Sequence, residues 1–399
     1  MERVYLDNYE RTFGFGEDEL KALIETVDQK EKNSVWHRGE EGITASQCSL
    51  MALDPMQVMA DGIEKLYRLE HDLLEETMSS GGTHLLFIVK GFASLLRSCA
   101  IQSVSQACKL WGSALGKMAP YMYAEVVNDA FSVGSGKLLL LERYGMLTAI
   151  HSDAEGGYEI MPISALLKTT LDALRSPQFK EVEMLKGYDS HEYTSATFIL
   201  TGIQQEVLNR YQNILDAIGS KHKAYEFTPA VRFRTSDTSA ACATLEPVFL
   251  TANGAEFKFC EGVEVKHRRI PGAPGKPMDD FRAGANNMFA KFEEAYTNME
   301  ALAQRQVYHP KNFVISACKK LRIPKKYGQA ALEEAEYAAE GVAYVNGHDM
   351  YLVMTKVVEA AIQGTAPART ILDLDEKVSK VPTLDWSEHD VGGTVAWAD

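Results

Sequence analysis

Three groups of residues in this chain carry side chains whose types and spacing could do chemistry. Gly134-Ser135-Gly136-Lys137 has the ending of a phosphate-cradling loop, in which backbone amides and a lysine hold a nucleotide. That loop also needs glycine five positions before its second glycine and Ser or Thr after the lysine. Phe131 and Leu138 stand there, so the segment reads as a loop entering a strand. Thr235-Ser236-Asp237-Thr238-Ser239 sets hydroxyls around a carboxylate, a combination able to hold a metal or a phosphate. A turn whose Asp and Ser side chains bond neighbouring amides accounts for the same residues, and it takes precedence over a catalytic role. With no G-x-S-x-G and no local cysteine signature, no catalytic residue is assigned.

The third group is positive charge. Arg305 to Lys326 holds Arg305, Lys311, Lys319, Lys320, Arg322, Lys325 and Lys326 without one acid, in a chain of formal net charge −14. It reads as helix, an Ile323-Pro324 break, then helix, loosely like a helix-turn-helix, and ammonium groups at helix ends suit phosphate contact. A solvated basic face is the competing account: lysines near a helix C-terminus meet its dipole, and Lys325 and Lys326 can pair with Glu333 or Glu334. A second cluster, Lys266-His267-Arg268-Arg269 with Lys276, runs from a strand into the loop Pro271 to Gly275. Arg232, Phe233 and Arg234 on a neighbouring strand would add an aromatic platform of the kind single-stranded nucleic acid uses. Strand alternation opposes that arrangement, because it sends Phe233 to the face away from both arginines.

Elements must position these residues. The first third, residues 1–135, reads as mostly helical, with its best helix opening at Asp54-Pro55 and running to about Met78 on Met59, Ile63, Leu66, Tyr67, Leu73 and Leu74. An α+β core is expected over residues 136–305. It begins with two strands around Tyr144-Gly145 and continues with a helix near Ile163–Leu174, strands near Phe179–Leu185 and Tyr193–Leu200, and a helix near Gln204–Ile218. The most β-like stretch follows: Val231–Arg234, Ala243–Thr251, Glu256–Phe259 and Val263–His267, with Asn253-Gly254 as a hairpin signal. These predict an antiparallel meander, followed by a helix from Asp279 that carries Phe281 to Leu302. Residues 306–372 read as a basic helical region with segments near Asn312–Leu321, Pro324–Ala339 and Gly347–Ile362. Residues 373–399, with seven acids, two bases, Trp386 and Trp397, read as a weakly packed acidic tail or a docking peptide.

Composition bounds the class. At 399 residues with 46% hydrophobic and 24% charged side chains, the chain is long enough for two or three packed units and is neither disordered nor fibrous. The charge of −14 disfavours coating of nucleic acid over the whole surface but leaves room for a local basic site. Cys48, Cys99, Cys108, Cys242, Cys260 and Cys318 make no C-x-x-C pair, which fits reduced core thiols. The ten histidines make no H-E-x-x-H, so neither a metal nor a cofactor is expected. No signal peptide is read at the start, and no run approaches the roughly 18 apolar residues a membrane span takes, so a cytoplasmic protein without a membrane partner is expected.

The block Arg234-Thr235-Ser236-Asp237, Leu245-Glu246-Pro247, Asn253-Gly254 and Gly262-Val263-Glu264-Val265-Lys266-His267, followed by the helix Phe281 to Leu302, resembles the phage/plasmid-like family of unknown function (domain of unknown function 932). The resemblance spans roughly residues 228–305. It implies a mobile-element or bacteriophage origin and a bacterial host cytoplasm, and it carries no catalytic residue. The expectation is then a DNA-binding accessory protein handling single-stranded or double-stranded DNA in recombination or replication. Arg232, Arg234, Lys266, Arg268, Arg269, Lys276, Lys319, Lys320, Arg322, Lys325 and Lys326 are its candidate nucleic-acid contacts. The alternative is an assembly or host-defence-blocking factor whose basic segment docks an acidic protein surface, and a homo-oligomer is a further expectation.

Overall fold

The computed structural model describes residues 7–38, 41–54, 56, 58, 62–112, 114–220 and 222–397. The described chain opens with strand β1 (Glu10–Phe13) and helix α1 (Glu17–Lys32). It then lays down β2 (Ser34–His37), β3 (Ile43–Thr44), β4 (Ser49–Ala52), α2 (Ile63–Tyr67), α3 (His71–Thr77), β5 (Leu85–Val89), β6 (Phe92–Leu96), α4 (Ala100–Ala107) and α5 (Pro120–Ser132). The hairpin β7 (Lys137–Arg143) and β8 (Met146–Ser152) completes a first sheet, ordered β2-β7-β8-β6-β5-β4 with β3 also on β7. Its pairings are antiparallel except β6 with β8. Leu138 to Leu141 is an apolar run because this sheet is covered on both sides. Leu138 and Leu140 pack against Val104, Val127 and Phe131 of α4 and α5, while Leu86, Leu95 and Met146 meet Leu73 and Leu74 of α3 on the other side.

The second sheet runs β1-β9-β10-β11-β12-β13, with β14 also on β12. Its strands are β9 (Glu183–Ser190), β10 (Thr194–Ile199), β11 (Phe227–Thr235), β12 (Ala243–Thr251), β13 (Glu256–Phe257) and β14 (Val263–Val265). Helices α6 (Ile163–Leu174), α7 (Gln204–Ala217), α8 (Lys276–Asn286) and α9 (Met288–Ala303) intervene or follow. After β15 (Gln306–Val307) come α10 (Pro310–Lys320), α11 (Lys325–Ala338), β16 (Val345–Asn346), α12 (Gly347–Gln363) and α13 (Ala368–Val378). Alternation along β11 decides its two faces: Phe227, Val231 and Phe233 enter the large core that α1, α6 and α7 to α12 share, and Arg232 and Arg234 face the other way. The α+β class and the antiparallel meander are as the sequence predicts. The long helix from Asp279 is two helices that meet at Asn287.

Three expectations are corrected. The first third is not mostly helical, since six strands fall within it; four- and five-residue strands are too short to show their period against helical spacing. The helix expected from Asp54 to Met78 is interrupted at Gly62 and Arg68, both with left-handed φ, and residues 55, 57 and 59–61 lie outside the described set. A boundary at residue 135 would cut the first sheet from its own β7 and β8, while β1 and α1 belong to the second.

The acidic tail is also packed rather than loose. Trp386 is buried against Phe313 of α10. Asp390 accepts the Tyr308 and His309 amides, and Trp397 lies against Gly328 of α11, where a Cβ would strike its ring. The Asp390 carboxylate at the amino end of α10 meets the positive end of its dipole, which is a reason for an acid here.

Candidate functional site

Helix α1 presents Leu20, Leu23 and Val27 to the core and, in phase with them, Lys30. The ammonium of Lys30 is buried and ion-paired with Asp189 at the end of β9, and it donates to Thr194 Oγ1 at 2.8 Å and the Ser190 carbonyl at 3.1 Å. Beside it, Arg143 closes β7. Its guanidinium donates to the His191 carbonyl at 2.8 Å and pairs with the Asp237 carboxylate. Burial alone would raise the Asp237 carboxyl, but Arg143, with Lys30 behind it, holds it below its ordinary value. The Arg143–Asp237 pair stitches the first sheet to the second, and the Lys30–Asp189 pair beside it ties α1 to β9.

Asp237 belongs to the hydroxyl cluster between β11 and β12, and the cluster does form a turn. Ser236 Oγ accepts the Thr238 and Ala240 amides, each at 3.1 Å, and donates to the Glu192 carbonyl at 2.6 Å. The turn also places Asp237 among rings. His151 Nε2 lies 2.8 Å from the Asp237 carbonyl oxygen and its Nδ1 lies 3.2 Å from Ser239 Oγ. His151 stacks on Tyr158 with centroids 3.8 Å apart, and Tyr158 stacks on His267. His267 in turn bonds the Tyr158 hydroxyl through Nδ1 at 3.1 Å and Thr235 Oγ1 through Nε2 at 3.2 Å. Burial pushes both imidazoles down to about 4, against the pull of Asp237. Burial raises the Tyr158 phenol well above its usual value. At neutral pH the cluster is therefore a carboxylate, a guanidinium and neutral rings, opening through Ser239, Tyr158 and His267 to a cleft of about 420 Å³. Among the described residues no group of three or more His, Cys, Asp or Glu side chains could hold a metal ion.

The eleven candidate nucleic-acid contacts sort by pairing. Arg232 is buried and ion-paired with Glu246 and Glu256, part of a network with Lys258 on Glu246 and Lys186 on Glu256 that α13 covers with Asp375. Burial, with the Glu256 carboxylate adding, pushes Asp375 up to about 7. Such a guanidinium is not presented to a phosphate, and Phe233 is wholly buried on the opposite face, so the aromatic platform does not form. Arg234 is half-buried on Glu376, Arg269 reaches Asp153 and Glu159, and Lys276 pairs with Asp280. The other seven, Lys266, Arg268, Lys319, Lys320, Arg322, Lys325 and Lys326, are exposed. Among the described residues none of the seven has a carboxylate within ion-pair distance, Glu333 and Glu334 included.

Helix α13 touches both basic segments. Its Glu376 lines the cleft that Lys266 lines, and Lys377 Nζ donates to the Arg322 carbonyl at 3.2 Å. Compared with known proteins, the chain matches no family model, no curated protein and no solved structure. Asp237 and His267 are the Ser-Asp turn and the strand-end histidine quoted above for the resemblance, and the structure brings them together. Lys30, Arg143, His151, Tyr158 and Asp189 were not singled out in the sequence. A visible signal existed for two of them: Lys30 shares the apolar stripe of α1, and Arg143 ends the run of four leucines on β7.

Proposed function

We propose that this chain is a nucleic-acid-binding accessory protein of a phage or other mobile element, with the corner between α10 and α11 as its phosphate contact. The observation that supports it is the set of five exposed cations in that corner, Lys319, Lys320, Arg322, Lys325 and Lys326, that have no carboxylate within ion-pair distance among the described residues. Helix stability explains only the first two, at the carboxyl end of α10 where the dipole favours positive charge. Lys325 and Lys326 stand in the first turn of α11, which carries no acid, and there the dipole opposes them. An anion resting on the corner would relieve that opposition and meet the free amides of the helix start. The family resemblance supplies the mobile-element part of the reading, and single-strand handling in recombination or replication is its finer form.

Ammonium and guanidinium groups at such a corner read phosphates rather than base edges, so binding is expected to be salt-dependent and sequence-tolerant. Five contacts give a slope of log K against log[salt] of roughly −3.5 on single strands and about −4.5 on duplex. Titrating labelled single- and double-stranded DNA over a salt series tests this. Reversing Lys319, Lys320, Lys325 and Lys326 to Glu is expected to abolish binding, whereas Lys276→Glu, at a cation already paired, changes it less than about twofold, as for ordinary surface changes. No salt-dependent binding by the unaltered chain would overturn the reading and leave the corner as a dock for an acidic protein surface.

A further inference from the structure

The rings beside Asp237 hold one arrangement that nucleic-acid binding does not use. Ser239 is exposed and has φ 66°, a left-handed conformation that a serine adopts at a cost. It lines the 420 Å³ cleft, and its hydroxyl lies 3.2 Å from Nδ1 of the buried His151. The tautomer follows from the partner on the far side of the ring. A backbone carbonyl only accepts, so His151 Nε2, 2.8 Å from the Asp237 oxygen, carries the proton and donates it. Burial keeps the ring neutral, which leaves Nδ1 bare and makes the Ser239 hydroxyl the donor. The ring is fixed by Tyr158 stacked at 3.8 Å and by Trp36 at 5.9 Å on centroids. Nucleophile, base and orienting acceptor thus stand in one hydrogen-bonded chain, and the same cleft is lined by Lys266 and Glu264 and by the Arg234–Glu376 pair.

We propose that Ser239 and His151 form a nucleophile–base pair that hydrolyses small acyl esters in this cleft. Ser239 Oγ attacks the ester carbonyl carbon and its proton passes to His151 Nδ1, while the Asp237 carbonyl holds Nε2–H. The Lys266 ammonium, the one cleft cation without a carboxylate at ion-pair distance among the described residues, meets the oxyanion. Collapse breaks the carbon–alkoxide bond, and the leaving alkoxide takes the proton from Nδ1. Water then attacks the acyl-serine, giving its proton to His151. Expulsion of Ser239 Oγ, which recovers that proton, yields the carboxylic acid. The sum is ester plus water to acid plus alcohol, with no other reactant.

The probe is a fluorophosphonate, which phosphonylates activated serines and spares the Cys242 thiol that lines the same cleft. The full chain is expected to be labelled on Ser239, mapped by peptide mass, and to hydrolyse p-nitrophenyl acetate. Ser239→Ala and Ser239→Gly, the second suited to the left-handed backbone, lose both signals while keeping the melting transition. His151→Gln, which keeps a polar side chain but no base, lowers the labelling rate by roughly 100-fold. Because the ring stays neutral down to about 4, the rate is flat above pH 5, unlike that of a pair with an ordinary histidine. Absence of labelling in the unaltered chain, labelling at another residue, or labelling undiminished in Ser239→Ala would each overturn the assignment.

Discussion

At the corner between α10 and α11, five cations stand in solvent with no carboxylate among the described residues within ion-pair distance; at the seam of the two sheets and beside it, Arg143 and Lys30 are buried, each against its own carboxylate. The same residue types serve opposite ends. Buried charge is tolerated only with a partner and satisfied hydrogen bonds, so the interior cations are committed to the fold. The corner cations contribute little to the fold and are available to a ligand. Positive charge in a sequence therefore says nothing of function until pairing is known, and four of the eleven candidate contacts turned out to be committed.

Acid gives the sharpest way to break the interior side of that comparison. His151 and His267 have folded values pushed to about 4, below the roughly 6.5 of an unfolded histidine. The folded state thus resists protons that the unfolded chain takes up. The stability this represents is present above pH 6.5 and is lost as pH falls through 4, on the order of 7 kcal/mol for the two rings together. Denaturant midpoints measured from pH 7.5 to 4.5 should fall steadily, and a His267→Phe variant should flatten the curve.

Removing one partner is the next largest effect. Arg143→Met leaves the Asp237 carboxylate buried without its ion-pair partner, at a cost of about 3–5 kcal/mol, while Arg143→Met with Asp237→Leu recovers most of it. Urea unfolding of the single and double variants measures both. Smallest is the outcome at the corner: Lys319, Lys320, Lys325 and Lys326 together changed to Ala should move stability by less than about 1 kcal/mol, in line with exposed charges generally. A large loss there would mean that the corner, too, is structural.

Local pattern made part of this legible. The β7–β8 hairpin, the meander and helices α10 and α11 announce themselves by leucine runs, by Asn253-Gly254 and by proline at or beside the helix starts, because each depends on neighbours in sequence. The strands of the first third do not, since β4 to β6 are short and β6 finds its parallel partner β8 some fifty residues on. The site was half legible. Ser236-Asp237 and His267 stood out as a motif, but Tyr158 and His151 reach them only once β8 and the β11–β12 turn meet. Burial of Arg232 against Glu246 and Glu256 likewise needs the β11–β12 register and α13, neither of which a charge count contains.

Strand β1 has a consequence for how this molecule can be taken apart. It pairs along β9 from Glu10 opposite Ser190 to Phe13 opposite Gly187, and α1 behind it delivers Lys30 to Asp189, yet the very next strand joins the other sheet. The backbone therefore laces the two halves together before either is built. No single cut yields two self-sufficient modules: a fragment starting after β8 has an open sheet edge, an uncovered strip of core and an unneutralised Asp189. Shuffling of this architecture between proteins would have to move both sheets as one unit.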